Sequence, residues 1–396
     1  MFTLTPRHAV VAAIIAATIA ASPAMAQSEF YRAPEGQIAG SPGTLIREEP
    51  MMSAPAGSTS HRLLYRSRGM HDEPIAVSGV VFVPNGPVPP NGRPIVAWAH
   101  PTSGVVPHCA PSVAFFLDQQ VQGLKEMLAR GYIVVATDYP GLGTPGPHPY
   151  LVGASEGRAV LDSVRAIRAI PGVGPIRDFV VWGHSQGGQA ALFTGLMAKK
   201  YAPDLNLLGV AAAAPATDLG ALMSDDFDTA GGKNITAMTL WSWSKVYGLP
   251  IDRLVTPAAM PTVAVLSNQC IESILDIVIR RREEKPLETS FLTVKDIASV
   301  EPWRSLLAQN TPGVLPRNIP VFLAQGTTDN VVVPKVTYAY MRRLCAAGSA
   351  VRLVTLPGVG HGFIARDSAP AAIDWMADRF AGMRAPSDCA QQPASG

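Results

Sequence analysis

Charge is scarce and evenly split in this sequence. Charged residues make up 16% of 396, with 32 basic against 30 acidic and a formal net charge of +2. No basic stripe marks a nucleic-acid surface, and no single-sign field calls for an electrostatic partner. Cysteine is nearly missing as well: Cys109, Cys270, Cys345 and Cys389 are all there is. None forms a C-x-x-C pair or sits in a Cys/His cluster, so no metal site is expected. Past the first 26 residues no apolar run reaches the ~18 residues that a transmembrane anchor needs. There is no internal repeat, and the 36 prolines and 35 glycines gather in loops instead of a low-complexity tract. What is plentiful is apolar residues, 47% of the chain, enough for a large core. Length allows two or three domains, or one α/β domain with an insertion.

The N-terminus reads as an address. Arg7 and His8 precede the apolar run Ala9 to Ala21, and Ala24-Met25-Ala26 has the small-x-small cleavage pattern. Residues 1–26 are expected to be a signal peptide cut before Gln27, giving a periplasmic or extracellular protein. In an oxidising compartment an even count of cysteines suggests two disulfides, with three connectivities open.

Residues 27–74 are rich in proline and glycine and read as an irregular extension, with a short strand at Arg62-Leu63-Leu64-Tyr65. From 75 to 216 strands and helices alternate. Apolar runs at 75–83, 94–99, 132–137, 178–182 and 207–213 predict strands. Helical spacing predicts helices over 112–130, 155–170 and 187–199. That rhythm means a mostly parallel sheet with right-handed crossovers. It stops over 217–305, where only helical patterns occur, and resumes over 306–396 with strands at 320–324 and 351–356. A closing helix is predicted near 371–380, with Pro370 at its start. The fold class is therefore α/β, with a helical cap inserted late in the sheet.

One pentapeptide carries the chemistry. Gly183-His184-Ser185-Gln186-Gly187 lies between a predicted strand and helix and fits the G-x-S-x-G nucleophile elbow. Such a serine is forced into a strained turn, so residues two positions away on either side must lack a Cβ. The Gln186 N–H then opens a helix and can bind an oxyanion. In α/β-hydrolases the acid and the base follow the serine in that order, each on a loop after a strand. Asp329 follows the strand at 320–324, and His361 follows the strand at 351–356 between two glycines that leave its imidazole room. His184, His100, Asp296 and Glu301 compete less well: His184 points away from its neighbour, His100 belongs to the oxyanion loop, and the two acids lack a strand-to-loop context. A second oxyanion donor is expected on His100-Pro101-Thr102-Ser103-Gly104. Proline has no N–H, which leaves Thr102 or Ser103.

These segments in order, with Cys109-Ala110-Pro111-Ser112, Asp138-Tyr139-Pro140-Gly141-Leu142-Gly143 and Gly153 to Ile167, resemble the secretory lipase family of α/β-hydrolases, the group that includes fungal lipase A. The resemblance implies a helical cap, acyl-ester substrates and no cofactor. It also implies the pairings Cys109–Cys270 and Cys345–Cys389. Two departures stand out: Pro101 takes a place where bacterial relatives more often carry glycine, and fungal members have a carboxylate near Thr102. The expected activity is ester hydrolysis by a Ser185–His361–Asp329 triad, with Thr102 and Gln186 as oxyanion donors. Trp241, Trp243 and Ile274 of the cap are candidates for an acyl pocket. The partners are a small-molecule or lipid ester and, transiently, an oil–water interface. Acyl transfer by the same triad, peptide hydrolysis and a catalytically silent binding protein are the alternatives.

Overall fold

The computed structural model describes residues 28–114, 117–225 and 230–391; the signal peptide expected over 1–26 lies outside them. Among the described residues no helix is long and apolar enough to cross a membrane. The first part of the chain carries a short helix α1 (Glu35–Ile38) and three strands, β1 (Leu45–Met51), β2 (Ser58–Arg68) and β3 (Pro74–Pro84). Next come β4 (Ile95–Ala99), α2 (Leu117–Gln120), α3 (Leu124–Ala129), β5 (Ile133–Thr137) and α4 (Gly153–Ala166). Strand β6 (Asp178–His184), helix α5 (Gln186–Tyr201) and strand β7 (Asn206–Ala213) follow. The nine strands among the described residues form one sheet in the order β1-β2-β3-β5-β4-β6-β7-β8-β9, where β8 is Val321–Gly326 and β9 is Val351–Leu356. From β5 to β9 every pairing is parallel. Strands β4 and β5 are buried at every position, as expected of unbroken apolar strands with helices on both faces.

The stretch over 27–74 is more regular than its composition suggests: the short strand expected at Arg62-Leu63-Leu64-Tyr65 lies within the longer β2, and β1 precedes it. Strand β2 pairs antiparallel with β3 over its whole length, from Ser58 opposite Pro84 to Arg68 opposite Pro74, and β1 pairs with β2 on the other side. Its polar residues look like loop punctuation but are bonded: Ser67 Oγ donates to Asp162 Oδ2 at 2.7 Å and Arg62 pairs with Glu49. The single helix expected over 112–130 is broken too. Gly123 sits at φ +82°, and a Cβ there would meet Ile373 Cδ1 at 2.7 Å, so the chain turns instead of continuing helical.

Between β7 and β8 the chain leaves the sheet for α6 (Leu219–Asp225), α7 (Ala230–Val246), α8 (Met260–Ser267), α9 (Ile274–Glu283), α10 (Lys285–Thr289) and α11 (Trp303–Gln309). The Cys109–Cys270 disulfide ties this insertion to the loop after β4, across a sequence separation of 161. Beyond β8, α12 (Pro334–Ala346) is joined to the C-terminal segment by Cys345–Cys389. Both pairings are those implied by the family resemblance.

The closing helix starts ten residues earlier than the proline suggests. Helix α13 runs His361–Phe380 with Pro370 inside it. Proline removes one helical hydrogen bond, yet Ile364, Ala365 and Ala369 before it and Ala372, Ile373 and Met376 after it are all buried. Packing on both sides of the break outweighs the missing bond.

Candidate active site

Ser185 joins β6 to α5 at φ 57°, ψ −118°, a strained backbone for any residue with a Cβ. The glycines around it are spacers in the literal sense. A Cβ on Gly183 would lie 2.1 Å from the Gly187 carbonyl oxygen, and one on Gly187 would lie 1.9 Å from that of Ala99. Only with both positions bare can β6, α5 and the end of β4 approach this closely.

Asp329 follows β8, and His361 is the first residue of α13. His361 Nε2 is 2.8 Å from Ser185 Oγ, and its Nδ1 is 2.8 Å from Asp329 Oδ2. The other Asp329 oxygen accepts from the Val331 and Val332 backbone N–H groups, both at 2.9 Å. Burial pushes the Asp329 carboxyl up, but the adjacent imidazole and these hydrogen bonds outweigh it and hold it below the ordinary carboxylate value. The glycines flanking His361 do not act as expected: a Cβ on Gly362 would meet nothing within 4 Å, and one on Gly360 only Thr328 O at 3.8 Å. Position at the helix start, not local space, aims the ring.

The competing groups are otherwise engaged. His100 faces the backbone carbonyls of Pro101 at 2.6 Å and Asp138 at 3.1 Å with its two ring nitrogens. The His184 ring lies 4.9 Å from that of His361, and burial, then the neighbouring His361, pushes it down to about 3. It is a neutral ring packed against the imidazole. Asp296 accepts from Ser224 and Ala298, and Glu301 from Ser305 and Arg304. Thr102 Oγ1 is 2.8 Å from the Tyr150 hydroxyl, while the Ser103 carbonyl accepts from Ile271 N–H in the insertion. Gln186 is the first residue of α5, and the first N–H groups of a helix have no partner within it.

A small cleft of about 30 Å³ opens on Ser185, walled by Leu219, Leu222 and Met223 of α6, Ile235 of α7, and Val331. Trp243 is not among its walls. It is fully buried, stacks on Trp303 at 5.9 Å and donates to the Tyr150 carbonyl at 2.8 Å. Trp241 is half-buried, with Lys245 Nζ 4.4 Å over its ring. Helical spacing marks such residues as buried without saying against what. Ile274 opens α9, and its side chain lies outside the described residues. Among the described residues, one His/Cys/Asp/Glu group is tight enough to suggest a metal, His108 with Cys109 and Cys270; both sulfurs belong to a disulfide and are not thiolate ligands.

Sequence reasoning missed the polar cluster behind the nucleophile. Glu156 in the first turn of α4, His148 and the Gln186 side chain are all buried, and the Gln186 amide bonds both of the others. A glutamate on a helix reads as a surface charge. The available signal was Gly153 and Gly157 on either side of it, where a Cβ would strike Phe193 at 2.1 Å and Met197 Sδ at 2.8 Å. Glycines four apart announce a helix packed closely on its neighbour.

A hydroxyl bonded to an imidazole that is held in turn by a carboxylate is a proton relay able to activate the oxygen as a nucleophile. This chain is similar to several lipases and to an esterase. It is 26% identical over 372 residues to a Mycobacterium tuberculosis protein described as a probable inactive lipase, covering 89% of this chain and 82% of that one. Against Lipase 5 of Candida albicans it is 26% identical, covering 91% and 82%. Among solved structures, Candida antarctica lipase A in its closed state superposes with a TM-score of 0.74 at 19% identity, covering 89% and 86% of the two chains. A rice cell wall degrading esterase of Xanthomonas oryzae gives 0.73 at 20%, covering 87% and 100%. The family model described as secretory lipase matches residues 111–388, from the loop after β4 to the C-terminal segment: the chain belongs to the secretory lipase family.

Proposed function

We propose that this protein is an exported serine carboxylester hydrolase. The observation that carries the reading is the unbroken hydrogen-bonded line from Ser185 through His361 to Asp329. Ser185 Oγ attacks the ester carbonyl carbon while His361 Nε2 takes its proton. The carbonyl oxygen becomes an oxyanion held by the Gln186 and Thr102 N–H groups. As the tetrahedral intermediate collapses, His361 returns the proton to the leaving alkoxide, and the acyl group stays on Ser185. Water, deprotonated by the same imidazole, then attacks the acyl-enzyme and frees the acid. Asp329 keeps the proton of neutral His361 on Nδ1, so Nε2 is the free base.

The insertion acts as a cap, and its α6 and α7 side chains wall the acyl site. The cleft is small and lined mostly by apolar side chains, which favours short acyl chains over long ones. With a series of p-nitrophenyl esters, kcat/KM is expected to be highest for short chains such as butyrate and to fall toward palmitate. Absence of turnover across the whole series would refute the hydrolase reading. Leu222→Ala enlarges the cleft on its α6 wall. It is expected to shift the palmitate-to-butyrate ratio of kcat/KM upward by about tenfold, the scale on which an apolar pocket discriminates chain length. An unchanged ratio would remove α6 from the acyl site.

One relative is described as a probable inactive lipase, so a silent binding protein is the rival reading. The distances at Ser185 favour an active enzyme. A fluorophosphonate probe should label Ser185, and an unlabelled native protein would favour the silent reading.

A further inference from the structure

Directly behind the nucleophile lies a buried acid for which the triad has no use. Glu156 is fully buried, and its Oε1 accepts from the Leu151 N–H at 3.0 Å and from Gln186 Nε2 at 2.7 Å. The His148 ring fixes how the Gln186 amide is turned. Its Nδ1 is 2.8 Å from the Pro140 carbonyl, which can only accept, so Nδ1 bears the hydrogen and Nε2 is an acceptor. Gln186 Nε2, 3.1 Å from that nitrogen, therefore donates one hydrogen to His148 and the other to Glu156.

Two buried oxygens are left over, Glu156 Oε2 and Gln186 Oε1, and neither has a hydrogen-bond partner. As a carboxylate, Glu156 has nothing to donate, and both oxygens stay unsatisfied at a cost. One proton on Oε2 supplies the missing donor for the missing acceptor. Among the described residues, none of the groups that shift the Glu156 carboxyl is a cation. From the loop after β5, the facing groups are His148, Tyr139 and Tyr150; from α5, Gln186 and Gln189; and from the insertion, Asn310, which bonds Gln189 and the Gly153 N–H. Arg158 and Asp162 share the helix but are bonded elsewhere, to Gly69 and to Ser67, Tyr201 and Arg165. His148 is itself held neutral, pushed down to about 3 mainly by burial.

We propose that Glu156 is a positioning residue that works as a neutral acid, its Oε2 proton closing a two-bond acid–amide pair with Gln186 and so fixing the oxyanion-binding N–H. The proposal rests on the hydrolase reading above. It makes Gln186 bifunctional: the backbone faces the substrate, and the side chain is clamped from behind by Glu156 and His148. Burial, partly offset by the Gln186 and Leu151 hydrogen bonds, pushes the Glu156 carboxyl up to about 8, in accord with a proton held at neutral pH. Above that value a buried negative charge appears one residue from the group that must stabilise another. The pair then loses its second bond, and the developing oxyanion meets like charge.

Glu156→Gln and Glu156→Leu separate this from plain packing. Glutamine donates and accepts as the acid does but cannot ionise. Wild type is expected to lose kcat above about pH 8 with KM little changed, whereas E156Q keeps kcat within about twofold at pH 7 and lacks that alkaline fall. E156L is expected to lower kcat by roughly tenfold to a hundredfold at unchanged KM, approaching loss of one oxyanion donor. Stability supplies an arm independent of activity. The carboxyl is raised in the folded chain, so its contribution is complete below the ordinary value near 4.5 and is lost as pH rises toward 8. Relative to E156Q, the unfolding equilibrium of wild type should shift toward unfolding by about tenfold per pH unit across that window. An alkaline fall that persists unchanged in E156Q, or a stability difference flat with pH, overturns the proposal. If E156L does not fold, E156Q carries the test alone. If neither protein turns over esters but the stability difference tracks pH, the hydrolase reading fails while the protonated acid stands.

Discussion

Ser185→Ala is expected to reduce kcat on p-nitrophenyl butyrate by a factor on the order of 10⁶, the cost of removing the nucleophile from a cooperating triad. The change deletes one oxygen whose hydrogen bond in the structure is to His361 Nε2. The cleft, the Gln186 N–H and the glycine spacing are untouched, so KM and the melting temperature should hardly move. Residual turnover is expected from binding and oxyanion stabilisation alone. The strained backbone at φ 57° persists in the variant, because alanine carries the same Cβ. Measured kcat above roughly 1% of wild type in purified S185A, with proportionate loss of fluorophosphonate labelling absent, would show that another group performs the attack.

Asp329→Asn is the second large effect, expected at about 10⁴-fold in kcat. Asparagine matches aspartate in size and can still accept from Val331 and Val332. Its amide, however, can donate to His361 Nδ1, which drives the imidazole proton onto Nε2. That nitrogen then has no lone pair for the Ser185 proton. The loss should appear in kcat with KM nearly constant, since the defect is felt only as the proton moves. Titration of Asp329 itself does not mimic it in ordinary buffers. Its carboxyl is held low, so its stabilising contribution is present above the ordinary carboxylate value and is lost only as pH falls below it. A D329N enzyme within about tenfold of wild type would mean that a different acid orients the histidine.

The legibility of the sequence tracked how far each feature depends on close neighbours. The elbow was readable because Gly183 and Gly187 exclude side chains for reasons set within a few residues. The order of Ser185, Asp329 and His361 was readable because each follows an apolar run that forms a parallel strand of the sheet. Only the middle of strand β2, Arg62 to Tyr65, was readable; its full length was not, because Arg62 and Ser67 are satisfied by partners at Glu49 and Asp162, one of them nearly a hundred residues away. Pro370 misled in the same way: its local preference was overridden by the sheet under α13. The walls of the cleft and the Glu156–Gln186–His148 cluster are assembled from segments that touch only once the chain is folded. Helical periodicity marks Trp243 as buried, but only the fold shows that it meets Trp303 and Tyr150.

The Cys109–Cys270 link has a consequence for how the molecule ages. The turn at Gly248-Leu249-Pro250, with Gly248 and Pro250 exposed, lies inside the loop that the disulfide closes. A proteolytic nick there divides the chain with Ser185 in one fragment and Asp329 and His361 in the other. The two fragments stay a single covalent molecule because Cys109 belongs to the first and Cys270 to the second. Such a nicked chain stays one covalent unit while the disulfide is intact, and reduction leaves Ser185 and His361 on fragments joined only by the pairing of β7 with β8 and the packing around it.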